Sequence, residues 1–209
     1  MKKYSYKHSI AILIIFHLIG LIGFQTPYRD LFITLTPVNL ILSLILLIVH
    51  HEKNTKWWLA AIGIYVAGFL VEVAGINTGV IFGEYEYLSA LGPEILGTPP
   101  LIGVNWLILV VSTASIAQML FATKLVRSIV GATLMVMLDA AIEPVAPLLD
   151  FWEFSSATVP TENYLAWWFI GFLMHFVYQK LDVSRSNKLG LSLYSIMLVF
   201  FLILNLSLQ

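Results

Sequence analysis

A chain of 209 residues that is 59% hydrophobic and only 11% charged is far more apolar than a soluble domain, which is about half apolar and about a quarter charged. It belongs in a bilayer. A net charge of −1 excludes nucleic acid as a partner, because phosphate binding needs a basic surface, and the lack of cysteine removes disulfides, thiolate metal ligands and cysteine nucleophiles.

Seven apolar runs approach the length of about 20 helical residues that a hydrocarbon core requires. The first, Ser9 to Phe24, follows Lys2, Lys3 and Lys7 in the manner of a signal peptide, but no small-x-small cleavage site ends it. It reads as a retained helix. "GFQTPYRD" leads into Leu31 to Val49, and Trp57 to Ile76 follows. After an acidic stretch come Leu101 to Phe121 and Leu125 to Glu143, then, beyond a second polar stretch, Tyr164 to Leu181 and Leu189 to Leu206. The expectation is an all-α, polytopic seven-helix bundle forming one integral membrane domain over residues 1–209.

The basic residues set an orientation. With a cytoplasmic N-terminus, Lys2, Lys3, Lys7, Lys53, Lys56, Lys124, Arg127, Lys180, Arg185 and Lys188 all fall inside, and Arg29 alone falls outside. That distribution predicts N-in, C-out. Acids segregate oppositely, with only Glu52 and Asp182 in inner connections. The outer stretch "TGVIFGEYEYLSALGPEILGTPP" holds three glutamates and no cation, and its companion "PVAPLLDFWEFSSATVPTEN" also lacks one. Connections longer than about 12–15 residues are more often functional lids than plain connectors.

Three acids lie within apolar runs: Glu72, Asp139 and Glu143. An ionisable group in hydrocarbon costs about 2.5–3.5 kcal/mol even on lenient scales, so it faces the bundle interior and usually serves a function. Glu72 and Asp139 each sit about one turn, roughly 6 Å, from the outer end of their helices, and Asp139 and Glu143, four apart, share a face. Asn105, Trp106, Asn163 and Trp167 enter the same outer layer from inward-running helices, with Pro37 and Asn39 nearby. Arg29, alone on that side, cannot neutralise three acids. Trp57, Trp58, Trp152, Trp167 and Trp168 read as interfacial belt residues, with Trp167 and Trp106 also site candidates, His17 and His175 as packing histidines, and the small residues of "STASIAQ" as helix contacts.

Absences narrow the chemistry. The five histidines show no metal-ligand spacing, so no metal is expected, and neither a phosphate loop nor paired aspartate-rich diphosphate motifs occur. Every lysine lies at an inner end, which excludes a retinal Schiff base. What remains is acid chemistry on an apolar substrate. Desolvation and mutual repulsion keep one of several clustered carboxyls protonated, so an acid would stand beside an anion. With aromatic faces nearby, such a site could protonate an alkene and hold the carbocation until water captures it.

"EVAGINTGVIFGEYEYLSALGPEILGTPPLIGVNW", "LDAAIEPVAPLLDFW" and "PTENYLAWW" together resemble the membrane carotenoid 1′,2′-hydratase family, which includes the bisanhydrobacterioruberin hydratases. The resemblance runs from Glu72 to Trp167, through an E-x-x-G-x-x-T-G motif, F-G-x-Y-x-Y, L-G-P, D-x-x-x-[DE]-P and P-x-x-N-[YF]-x-x-W. It implies a hydro-lyase that needs no cofactor and adds water across the terminal double bond of an acyclic carotenoid end. Implied catalytic residues are Glu72, Asp139 and Glu143, the last standing where many relatives carry Asp. The substrate-binding residues expected are Asn77, Phe82, Glu84, Tyr85, Tyr87, Asn105, Trp106, Asn163 and Trp167, of which Phe82, Tyr85, Tyr87, Trp106, Asn163 and Trp167 fall on the resembling motifs. The partners implied are a carotenoid in the bilayer, water and other carotenoid-biosynthesis enzymes, in a bacterial cytoplasmic membrane. Two alternatives stay open: a carotenoid cyclase sharing the protonation step, and a non-catalytic lipid or carotenoid carrier.

Overall fold

The computed structural model describes residues 5–51, 54–156, 158–182 and 187–208. Lys2, Lys3, Glu52, Lys53 and Arg185, which entered the orientation, lie outside the described residues. The chain is mostly helical: α1 (Tyr6–Gly23), α2 (Arg29–Thr34), α3 (Thr36–Val49), α4 (Thr55–Thr78), α5 (Leu101–Leu120), α6 (Lys124–Ile142), α7 (Thr161–Lys180) and α8 (Lys188–Leu208).

The helix ends follow local chemistry. Asn54 caps α4 by accepting a 2.8 Å hydrogen bond from the Trp57 amide. Gly79, at φ 65°, ends the same helix in the left-handed conformation that costs glycine nothing. The run expected as one helix from Leu31 to Val49 is broken at Leu35, between α2 and α3. Pro37, in the first turn of α3, is the cause: it lacks an N–H and its ring crowds the carbonyl four residues back, so the helix restarts there.

Among the described residues six segments are long and apolar enough to cross a bilayer, the α2–α3 pair counting as one. The seventh expected run is a 20-residue helix, α7, but Glu162, Asn163, His175, Gln179 and Lys180 lower its hydropathy and it is not among the six. Asn163, His175 and Gln179 among them face inward, whereas Glu162 and Lys180 at the two ends are exposed. Asn163, Trp167, Gly171, His175 and Tyr178 form one buried stripe at helical spacing, and Gly171 lets α7 lie close against Ala132 and Met135 of α6.

At the centre stands α5, with fifteen of its twenty residues buried; it touches α3, α4, α6, α7 and α8. Close approach needs small residues on both sides. Gly103 lies over the Tyr65 backbone of α4, and Ser112 and Ser115 lie against Gly190 of α8. The outside is the reverse of a soluble surface: Ile22, Leu59, Leu165 and Leu206 are all well exposed, as suits a lipid solvent.

The fold is not wholly α. The two long connections, α4–α5 and α6–α7, each contribute a short strand, β1 (Tyr85–Tyr87) and β2 (Trp152–Phe154), paired antiparallel with Tyr85 opposite Phe154, Glu86 opposite Glu153 and Tyr87 opposite Trp152. Alternation explains it: in "YEY" and "WEF" the aromatics point inward and the glutamates outward. Gly83, at φ 92°, brings the first connection against Pro160 at the foot of α7.

Candidate active site

Glu72 lies on the α4 face shared by Gly68 and Gly75, and both glycines make room for its partners. A side chain at Gly68 would collide with Trp106, and one at Gly75 would collide with Phe82 and crowd the Tyr85 hydroxyl. The indole N–H of Trp106 donates to Glu72 Oε1 at 2.9 Å. The hydroxyls of Tyr85 and Tyr87 donate to Oε2 at 2.5 and 2.9 Å. A carboxylate accepting three donors suits the ionised form, which only accepts. The tyrosines suit the donor role, since burial and the Glu72 charge push both phenols above their ordinary range. No cation is needed: among the described residues the ion pair present is Lys124–Asp182, at 3.7 Å, joining the start of α6 to the chain just beyond α7.

Asp139 and Glu143, one turn apart at the C-terminal end of α6, form a second group. Asn163 reaches them from the first turn of α7, its amide Nδ2 donating to Asp139 Oδ2 and Glu143 Oε1, each at 3.1 Å. The Trp152 indole, on β2, donates to Glu143 Oε2 at 3.0 Å. All three acids are buried.

Between the two groups is a chamber of about 20 Å³, room for one water. Glu72, Glu143 and Asn163 line it together with Tyr85, Tyr87 and Trp152. Asp139 is not in its wall and meets it through the Asn163 amide. Trp167 closes one side and stacks on Trp106, rings 4.1 Å apart and 7° from parallel. The β1–β2 pair roofs the chamber.

Of the residues expected at the site, Glu72, Asp139, Glu143, Phe82, Tyr85, Tyr87, Trp106, Asn163 and Trp167 are gathered in this one region. Three others are elsewhere. Asn77 donates to the Val73 and Leu96 carbonyls at 2.8 and 3.0 Å, tying the α4–α5 connection to α4, and with Glu84 it lines a solvent-open surface cleft. Asn105 faces a different, apolar cavity. Helical geometry separates it from Trp106, since adjacent residues point about 100° apart.

Trp152 corrects the sequence reading in the other direction. It was expected in an interfacial belt, yet it is buried and holds Glu143. The signal was the "WEF" alternation mirroring "YEY". The histidines are remote from the carboxyl groups: the His175 ring packs over Gly131 and shares a 2.9 Å hydrogen bond with Thr113, and His17 Nδ1 donates to the Leu13 carbonyl at 2.8 Å. Among the described residues no His, Asp and Glu cluster could hold a metal ion.

Apolar helices around a buried carboxyl cluster, under a roof of two paired connections, define a membrane protein with an acid-lined interior site. The chain belongs to the family of carotenoid biosynthesis proteins, whose pattern covers residues 32–209. A curated relative, the bisanhydrobacterioruberin hydratase of Haloarcula japonica, is 27% identical over 117 residues, an overlap that covers 52% of this chain and 40% of that protein. No solved structure matches the chain.

Proposed function

We propose that this protein is a carotenoid 1′,2′-hydratase, adding water to the terminal double bond of an acyclic carotenoid end such as that of lycopene or γ-carotene. The observation that carries the reading is the chamber, where two carboxyl groups from different helices face room for one water beneath an aromatic roof. The family and the relative's name support the substrate class and the hydration.

Each carboxyl has its own part. Glu72, with three donors, stays ionised and serves as the counter-charge. Asp139 and Glu143, joined through one amide in a desolvated site, share one proton, because two neighbouring carboxylates resist ionising together. Glu143, in the chamber wall, is the acid: its proton goes to C2′, and the alkene electron pair that forms the new C–H bond leaves a tertiary cation at C1′. The Glu72 charge and the faces of Trp167 and Tyr85 stabilise that cation. The chamber water then bonds to C1′ through its oxygen and returns a proton to the Asp139–Glu143 pair, now doubly ionised and basic. The pair is reset, the product is a tertiary alcohol, and no redox partner is required.

The membrane setting we propose is the bacterial cytoplasmic membrane, with α7 as a seventh crossing and the roof on the outer side. Other carotenoid-biosynthesis enzymes are its proposed neighbours there. A bacterium accumulating lycopene, expressing the wild-type protein or Glu72→Gln or Asp139→Asn, tests the function by chromatography and mass spectrometry. A pigment heavier by one water, lost in both variants, is expected. A pigment of unchanged mass absorbing at shorter wavelength would mean cyclisation instead, and unaltered pigment alongside confirmed expression would favour a carrier.

A further inference from the structure

The carboxyl chamber as it stands has room for one water, so entry of an alkene end needs a side chain in its wall to move. Beside it lies a second cavity of about 220 Å³, bounded by α1, α2, α3, α5 and α8. Its character is hydrocarbon-like: Phe16, Phe24, Phe32, Phe151, Phe200 and Phe201 line it, and among the described residues its polar wall groups, Asn39, Ser43 and Asn105 among them, include no carboxylate, lysine or arginine. A lipid phosphate or diphosphate would find no cationic partner there.

The cavity opens sideways. Phe16 and Ile19 of α1, with Leu35 and Val38 at the α2–α3 break, line it and are themselves exposed, so its mouth faces the lipid where Pro37 interrupts the helix. From Phe16 to Phe24 it follows about 12 Å of α1. One residue belongs to both cavities: Trp152 lines the apolar one and the carboxyl chamber alike. Its indole is held by the hydrogen bond to Glu143 and by edge contact with Tyr87, ring centroids 6.3 Å apart. The Phe151 ring is a third neighbour, centroids 5.9 Å apart, and one rotation of the Trp152 side chain would break the Glu143 and Tyr87 contacts together.

We propose that this cavity seats the end portion of an uncharged, extended polyene chain, with the remainder in lipid, and that Trp152 is the gate through which the terminal double bond enters the carboxyl chamber. The proposal rests on the hydratase reading for its substrate. Opening the gate frees Glu143 Oε2 from its donor as the alkene arrives, so the acid is unmasked only when substrate is present. Trp152 is on this view a positioning residue.

The test is photo-crosslinking of the detergent-purified full chain with lycopene, using p-benzoylphenylalanine in place of Phe32 in the cavity wall, Phe154 in the chamber wall, or Phe169 on the exposed face of α7. Adducts carrying lycopene or its hydrate are expected at Phe32 and Phe154, at least tenfold above Phe169. Gly20→Phe fills the cavity, since a Cβ there meets only Phe200 at 3.7 Å, and should abolish both adducts; Ser43→Phe is the second filling variant, and melting temperature checks the fold of each. Equal crosslinking at Phe32 and Phe169, or adducts at Phe154 that survive both filling variants, would overturn the route. Adducts at Phe32 and Phe154 in a protein that leaves lycopene unchanged in mass would uphold the cavity and overturn hydration alone.

Discussion

Glu72 accepts hydrogen bonds from two elements besides its own helix, and this decides what each donor is worth. Bonds to a buried charged group contribute about 1.5–3 kcal/mol, and losing a donor leaves the charge less compensated. Tyr87→Phe keeps the ring against Trp152 and removes the 2.9 Å bond to Glu72 together with the hydroxyl's contact with Tyr85. It should lower stability by about 1.5–3 kcal/mol, seen as a lower melting temperature in detergent, and lower hydration at least tenfold because Glu72 becomes a poorer counter-charge. Full activity in Tyr87→Phe would show that Glu72 does not depend on this donor. From the sequence, Glu72, Asp139 and Glu143 stood out because acids in apolar runs are costly. That Glu72 is the triply held anion, while Asp139 and Glu143 share an amide, was not legible there, since the donors are 13, 15 and 34 residues away from Glu72 and 20 or more away on α7 for the pair.

At the scale of elements, the β1–β2 roof is only three residue pairs wide, and its central pair sets Glu86 directly opposite Glu153. Like charges facing each other across a ladder are destabilising, whereas opposite charges there contribute about 0.2–1 kcal/mol. Glu153→Lys should therefore stabilise the roof and slow amide hydrogen exchange in both strands. If a loosely held roof aids substrate entry, turnover falls in the same variant; unchanged exchange would show that the charge pair does not govern the roof. The helices themselves followed hydropathy to within a few residues at most ends. The break at Leu35 was signalled by Pro37 but read through, because apolar residues continue on both sides. The strands were missed because three residues of alternation are too few to distinguish from an irregular loop until a partner is found about 65 residues later.

For the whole molecule, the absence of cysteine provides a clean background for measuring orientation. Single cysteines in place of Glu84, on the roof side, and Lys124, at the opposite end of α6, should react with a membrane-impermeant maleimide from outside and only after permeabilisation, respectively. The reverse pattern would invert the proposed N-in arrangement and put the acidic roof in the cytoplasm. Composition and the spacing of apolar runs fixed by themselves that this is a helical membrane protein, because burying backbone in lipid leaves few other solutions, and the in-order motifs pointed to the family that the match over residues 32–209 establishes. Only the tertiary structure decided which polar residues meet. It set Asn105 and Trp106, neighbours in sequence, toward different cavities, sent Asn77 and Glu84 to an outer cleft, and brought Trp152 inward to hold Glu143. The physical reason is that hydropathy reports how strongly a segment prefers lipid, whereas the partner of a buried polar group is set by helix rotation and by contacts between distant segments, which one-dimensional periodicity does not encode.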